Sequence, residues 1–139
     1  ETATGSFDSY GLNYSKGSLK VAIASDSNAK GYDNKRFAST FSLDSLDIDV
    51  GVLYQTTKKL STGISENGHV VSVKKNVFEK GSIYYQTSSS DIKLESGEQN
   101  SFGYTHKISK VSKVFVHASN LESDTKNVDY VSVGFEYKF

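Results

Sequence analysis

From Val131 to Phe139 every second residue is apolar: Val131, Val133, Phe135, Tyr137 and Phe139, with Ser132, Gly134, Glu136 and Lys138 between them. A period of two puts the two sets on opposite faces of an extended strand. A strand with one wholly apolar face and one polar face lies between two different media. The same alternation runs back along the chain: Val114, Val116 and Ala118 against Phe115, His117 and Ser119; Phe102, Tyr104, His106 and Ile108 against Ser101, Gly103, Thr105 and Lys107. Ile83 and Tyr85, Val71 and Val73, and Ile48, Val50, Val52 and Tyr54 repeat it. So do Phe37, Phe41 and Leu43, then Leu19, Val21 and Ile23, and finally Tyr10, Leu12 and Tyr14. These segments amount to about eight or nine strands with no helical window, an all-β chain of antiparallel type. Proline is absent, so no strand is barred from its ladder.

The longest unbroken apolar run is Val21-Ala22-Ile23-Ala24, far short of the roughly 20 residues of a membrane-spanning helix. A β-barrel needs no such run, because only its outward residues meet lipid. The 139 residues predict one domain over 1–139, or a portion of a larger barrel. Without cysteine there is no disulfide scaffold, thiol nucleophile or thiolate metal site. Lys plus Arg and Asp plus Glu both number 16, which speaks against a broad basic face for nucleic acid. With no initiator Met and no basic-then-apolar leader, a processed, trimmed or partial chain is expected.

The connections are expected to alternate in length. Short ones are predicted near 14–18, 43–47, 76–81 and 109–113, and long polar ones near 25–35, 56–68, 88–100 and 120–127. Transmembrane barrels sort their turns and loops this way, and a soluble sandwich has no reason to. Aromatic residues near strand ends (Tyr14, Phe78, Tyr137, Phe139) suit the borders of a lipid-facing band. The reading is an antiparallel transmembrane β-barrel. An odd strand count would put Glu1 on the long-loop side, which favours part of a larger barrel over a complete eight-stranded one.

Val133-Gly134-Phe135-Glu136-Tyr137-Lys138-Phe139, ending in Phe, resembles the last strand of bacterial outer-membrane barrels. Gly103-Tyr104-Thr105-His106-Lys107-Ile108-Ser109-Lys110 resembles the penultimate hairpin of general Gram-negative porins, and Val114-Phe115-Val116-His117-Ala118-Ser119-Asn120 continues it. Ser9-Tyr10-Gly11-Leu12-Asn13-Tyr14 is similar too, although the match is densest over the last 40 or so residues. The resemblance is to the C-terminal half of a porin, since general porins have about 16 strands. Their long acidic lumen loop with an aromatic-Gly-Gly stretch has no counterpart here. The resemblance implies an outer-membrane location and a water-filled channel for passive diffusion of small polar solutes and ions. It also implies Val131, Val133, Phe135, Tyr137 and Phe139 as membrane face and assembly signal, read by the barrel-assembly machinery. The expected partners are outer-membrane lipid and either copies of the chain, as a trimer, or a complementary porin segment.

On the polar faces, the residues expected to line a pore are Lys20, Arg36, Thr40, Asp47, Asp49, Ser72, Lys74, Gln86, Lys107, His117 and Glu136. Charged groups there set the field, and Ser, Thr and Gln hydrate the wall. The plainer reading is a solvated face whose lysines are neutralised by Asp47, Asp49 and Glu136. His69, His106 and His117 have no metal-ligand spacing, so an interfacial or wall role is expected of them. Asp47 and Asp49 as a catalytic pair would need a dry pocket to raise one pKa, and on a wet wall both stay ionised. Asp44, Asp47 and Asp49 lack the Gly and closing Glu of a calcium loop. No strained Gly-x-Ser-x-Gly turn or phosphate-binding glycine spacing occurs, so no enzyme, metal or cofactor is expected. Two rivals remain open: a small closed eight-stranded barrel acting as anchor or adhesin, and a soluble β-sandwich or lipocalin-like module. Small residues on the polar face (Gly11, Ala22, Ala24, Ala38, Gly51, Gly103, Gly134) weigh against a packed interior.

Overall fold

The computed structural model describes residues 7–91 and 97–138. The expected membrane-facing residue Phe139 lies outside the described residues. Nine strands follow in chain order: β1 (Asp8–Lys16), β2 (Leu19–Ala29), β3 (Tyr32–Leu43), β4 (Ile48–Lys59), β5 (Ser65–Val77), β6 (Gly81–Ser90), β7 (Gly97–Lys107), β8 (Ser112–Glu122) and β9 (Asn127–Tyr137). Each pairs antiparallel with the next in a single sheet ordered β1 to β9, a meander whose first and last strands do not pair. The only helical element among the described residues is a 3₁₀ turn, Asp44–Leu46. The all-β reading and the strand count are therefore observed. No helix among the described residues is long and apolar enough to cross a membrane.

Register fixes the faces. Leu19 stands opposite Phe41, Phe41 opposite Val50, and Val50 opposite Val73. The row continues through Tyr85, Phe102, Ala118 and Val131. Cross-strand partners share a face, so the apolar sets of all nine strands merge into one continuous band. The other face carries Lys20, Thr40, Gly51, Ser72, Gln86, Ser101, Ser119 and Tyr130 in an equally continuous row.

Side chains crowd on the inner side of a curved sheet and splay on its outer side, and by that measure the polar face is the concave one and the apolar face the convex one. The most enclosed polar side chains are Ser101 and Ser119, 3% and 6% exposed, whereas Val71 and Val116 on the apolar face of equally interior strands are 36% and 41% exposed. No hydrophobic side chain among the described residues is buried. The chain's accessible surface is 10357 Å². A compact globular chain of this length would expose about 7,100 Å². The distribution is that of a soluble protein turned inside out, which removes the expectation of a sandwich core.

The strand ends descend steadily around the sheet. Leu43 and Ile48, which pair, lie two residues past Phe41, the partner of Leu19. Val77 lies two past Lys75, the partner of Ile48, and Tyr137 two past Phe135, the partner of Val114. A stagger near one residue per strand, at 3.3 Å rise and 4.8 Å spacing, tilts the strands by about 30°. The apolar band shifts with it, from Tyr10–Tyr14 in β1 to Val131–Tyr137 in β9, and so stays level about a tilted axis.

Among the described residues the expected alternation of short turns and long loops is not observed. Strands β2 and β3 continue through the polar stretch 25–35 and close in a tight turn at Lys30-Gly31, with φ of 53° and 84°. Thr56 pairs with Asn67, and Asn120 with Asp129, again inside stretches expected as loops. Backbone ladders need no apolar side chains. Polarity on both faces marks where the strands leave the apolar band, not where they end.

Candidate functional site

The concave face is the candidate site. Of the residues expected to line a pore, Lys20, Arg36, Thr40, Asp49, Ser72, Lys74, Gln86, Lys107, His117 and Glu136 all share this face by register. Asp47 departs from the expectation. It is not a strand residue but the left-handed residue that closes the 3₁₀ turn, with φ 53°. There it accompanies Lys74, Lys107 and Lys80 around a hollow of ≈ 370 Å³ at the rim of the same face.

Ion pairs on this face link neighbouring strands. Lys113 Nζ lies 2.8 Å from Glu136, Lys74 Nζ 3.5 Å from Asp49, and Arg36 4.0 Å from Asp26. Asp49 also accepts from Ser42 Oγ at 2.7 Å, and Arg36 Nε donates to Gln55 at 3.0 Å. These half-exposed pairs are worth little as stability, but they pin long side chains along the wall. Gln99 donates to Ser119 at 2.7 Å, and Ser119 sits 3.0 Å from Ser101. The face is thus polar and cross-linked by hydrogen bonds between its side chains. No group of His, Asp or Glu among the described residues could hold a metal ion.

Two large aromatic side chains on the concave face were not singled out in sequence. Tyr84 lies across Gly103, its cross-strand partner, and its hydroxyl hydrogen-bonds His117 Nδ1. Phe115 lies in the same way across Gly134. A Cβ at either glycine would run into the ring beside it. Glycine therefore lets a ring lie flat on the wall instead of projecting from it. Recognising this needs the register, which pairs Tyr84 with Gly103 across 18 intervening residues.

The convex face is ordered by height. Tyr10, Phe37, Tyr54, Tyr85 and Phe102 mark its loop-side border, and Tyr14, Tyr104 and Tyr137 its turn-side border, with valines and isoleucines between. The hydroxyls point away from the apolar middle. Tyr54 donates to Asn67 at 3.0 Å and Tyr85 to Asn100 at 2.8 Å on the loop side, while Tyr104 meets His106 at 3.1 Å on the turn side. His106 thus lies at the turn-side border of the apolar face, where the sequence put it.

No family model and no curated protein matches the sequence. Among solved structures, an anion-selective porin from Comamonas acidovorans matches with a TM-score of 0.74 at 18% identity. The match covers 96% of this chain and 49% of that one, so the chain spans about half the neighbour's length. At that identity the likeness is one of fold. The sheet is an antiparallel wall of the porin-barrel kind, and the sequence resemblance is supported at that level.

Proposed function

We propose that the chain forms wall of a water-filled channel in the bacterial outer membrane, through which small polar solutes and ions diffuse passively and unchanged. The observation that carries this reading is the inverted distribution of side chains. An apolar convex face bordered by aromatics suits lipid, and a concave face of Lys, Asp, Ser, Thr and Gln suits water. The porin-like fold supports it. In this reading Lys20, Arg36, Asp49, Lys74, Lys107, His117 and Glu136 set the field in the lumen, Asp47 acts at its rim, and Thr40, Ser72 and Gln86 hydrate the wall. Val131, Val133, Phe135 and Tyr137 face lipid and, with Phe139, supply the assembly signal read by the barrel-assembly machinery.

A wall in lipid must have no free edge. Closure here falls to strands outside the sheet, from a complementary porin segment or from further copies, and a trimer of closed barrels is the expected assembly. Because β1 and β9 run in the same direction, antiparallel joins at both edges require an odd number of added strands. The rival small barrel needs β1 and β9 to pair with each other, and the open nine-stranded order does not favour it.

The test is single-channel conductance of folded, detergent-purified native material in a planar lipid bilayer. Stable steps that scale with bulk salt are expected. Silence from protein shown to be inserted and folded overturns the channel reading.

A further inference from the structure

The charges of the concave face are not evenly matched. Asp26, Asp49 and Glu136 each have a cation beside them, in Arg36, Lys74 and Lys113. Toward the turn end of β7 to β9 the balance tips. A hollow of ≈ 610 Å³ there is lined by Lys80, Lys107, Lys110, Lys113 and Lys138, with Glu136 the one carboxylate among the lining residues. Glu136 is already engaged by Lys113 at 2.8 Å. Lys138 also acts on Glu136, and Lys80 and Lys107 border the neighbouring hollow of Asp47 and Glu79, so the lining itself keeps five lysines against one carboxylate.

The hollow is built on a fixed framework. The turn carrying Lys110 is closed by Ile108 N–H to Ser112 O at 3.0 Å and Ser109 N–H to Ser112 O at 3.1 Å. Ser109 and Ser112 hydroxyls meet at 2.7 Å, and Val111 N–H donates to Ser109 Oγ at 3.2 Å. Lys107 N–H bonds Lys80 O at 2.8 Å, and Lys138 N–H bonds Val111 O at 2.8 Å. Two turns and the segment after β9 therefore hold their lysines about one space. Lys107 and Lys113 stand on the polar side of their strands, turned away from the apolar band, and Lys138 follows directly on β9.

We infer that this hollow is a docking site for phosphate-bearing anions at the turn-side mouth of the wall. Several ammonium groups around one space favour a compact multivalent oxyanion over chloride, since each adds a Coulombic contact and a donor. The site would concentrate such anions at the turn-side mouth and so make their entry from the two sides unequal. The direction of access rests on the channel reading; the binding itself does not.

The experiment compares the wild-type chain with the triple variant Lys80→Gln, Lys110→Gln, Lys138→Gln, which leaves the Lys113–Glu136 pair intact. Inorganic pyrophosphate is added to either side of single channels bathed in chloride. The expected result is block from one side only, with apparent affinity lower in the variant by about tenfold, three exposed cation contacts at their usual strength. Conducting channels that respond equally from both sides, or whose block the variant leaves unchanged, overturn the docking site while the channel stands. If nothing conducts, the channel reading falls, and broadening of the pyrophosphate ³¹P resonance by folded protein in detergent decides the site: broadening lost in the variant supports it, and equal spectra overturn it. Repeating the block with phosphatidic acid in the bilayer separates sources. If the occupant is a lipid headgroup, the pyrophosphate effect disappears there; if it is a free anion, the effect persists.

Discussion

Gly103 shows how much one missing side chain does in this sheet. Its lack of a Cβ lets the Tyr84 ring cross it and reach His117 on the strand beyond. Gly103→Ala is expected to lift that ring off the wall and break the hydrogen bond, at a cost of about 1–3 kcal/mol by overpacking. The check is a denaturant titration of the refolded protein, repeated in a Tyr84→Ala background. There the glycine substitution should cost less than about 0.5 kcal/mol, because its collision partner is gone. Equal costs in both backgrounds would show that Gly103 serves its backbone and not the ring. None of this was legible in sequence, since Tyr84 reads as one more residue on a polar face until the register sets Gly103 beside it.

At the scale of the strand, alternation was enough to find every element and to assign its faces. Val131, Val133 and Phe135 belong together in sequence and in the sheet, as do Lys20, Thr40 and Ser72. Strand length was not legible. Past the band, as at Asp26 and Asn34, both faces turn polar and the pattern falls silent, yet the ladder continues. Asp47 was misplaced for a related reason, because a period-two count runs smoothly through a turn whose left-handed φ has no apolar marker. The face assignment makes a sharp prediction in one strand. Val133→Arg on the convex face should destabilise the protein folded into lipid vesicles by about 2–4 kcal/mol, the usual cost near a bilayer midplane. Ser132→Arg, one residue earlier and facing the other way, should change stability by no more than about 0.5 kcal/mol. Equilibrium unfolding from vesicles compares them, and similar costs would reject the two-media assignment.

Over the whole molecule the same division can be mapped chemically. The chain has no cysteine, so single cysteines are unambiguous reporters. Placed at Asn13, Ser72 and Ser132 they should react with a membrane-impermeant thiol reagent in folded, bilayer-inserted protein. Placed at Leu12, Val73 and Val133 they should be spared. Labelling of both sets alike would mean that the concave face encloses no separate aqueous space. The general architecture was readable because two solvents impose the same binary pattern on every strand. Closure was not, because β1 and β9 are left unpaired with each other and no residue pattern along them says what they pair with.

The apolar band has a further consequence, which concerns the chain before it folds. The surface exists only once neighbouring strands align. Along the unfolded polypeptide no stretch is apolar for more than the four residues Val21 to Ala24. These 139 residues hold no stretch that a helix-inserting machine would retain, because such a machine recognises about 20 consecutive apolar residues. On the channel reading the greasy exterior is withheld until the sheet assembles, so these 139 residues could pass one bilayer as a polar thread and meet lipid as a finished surface only in the next.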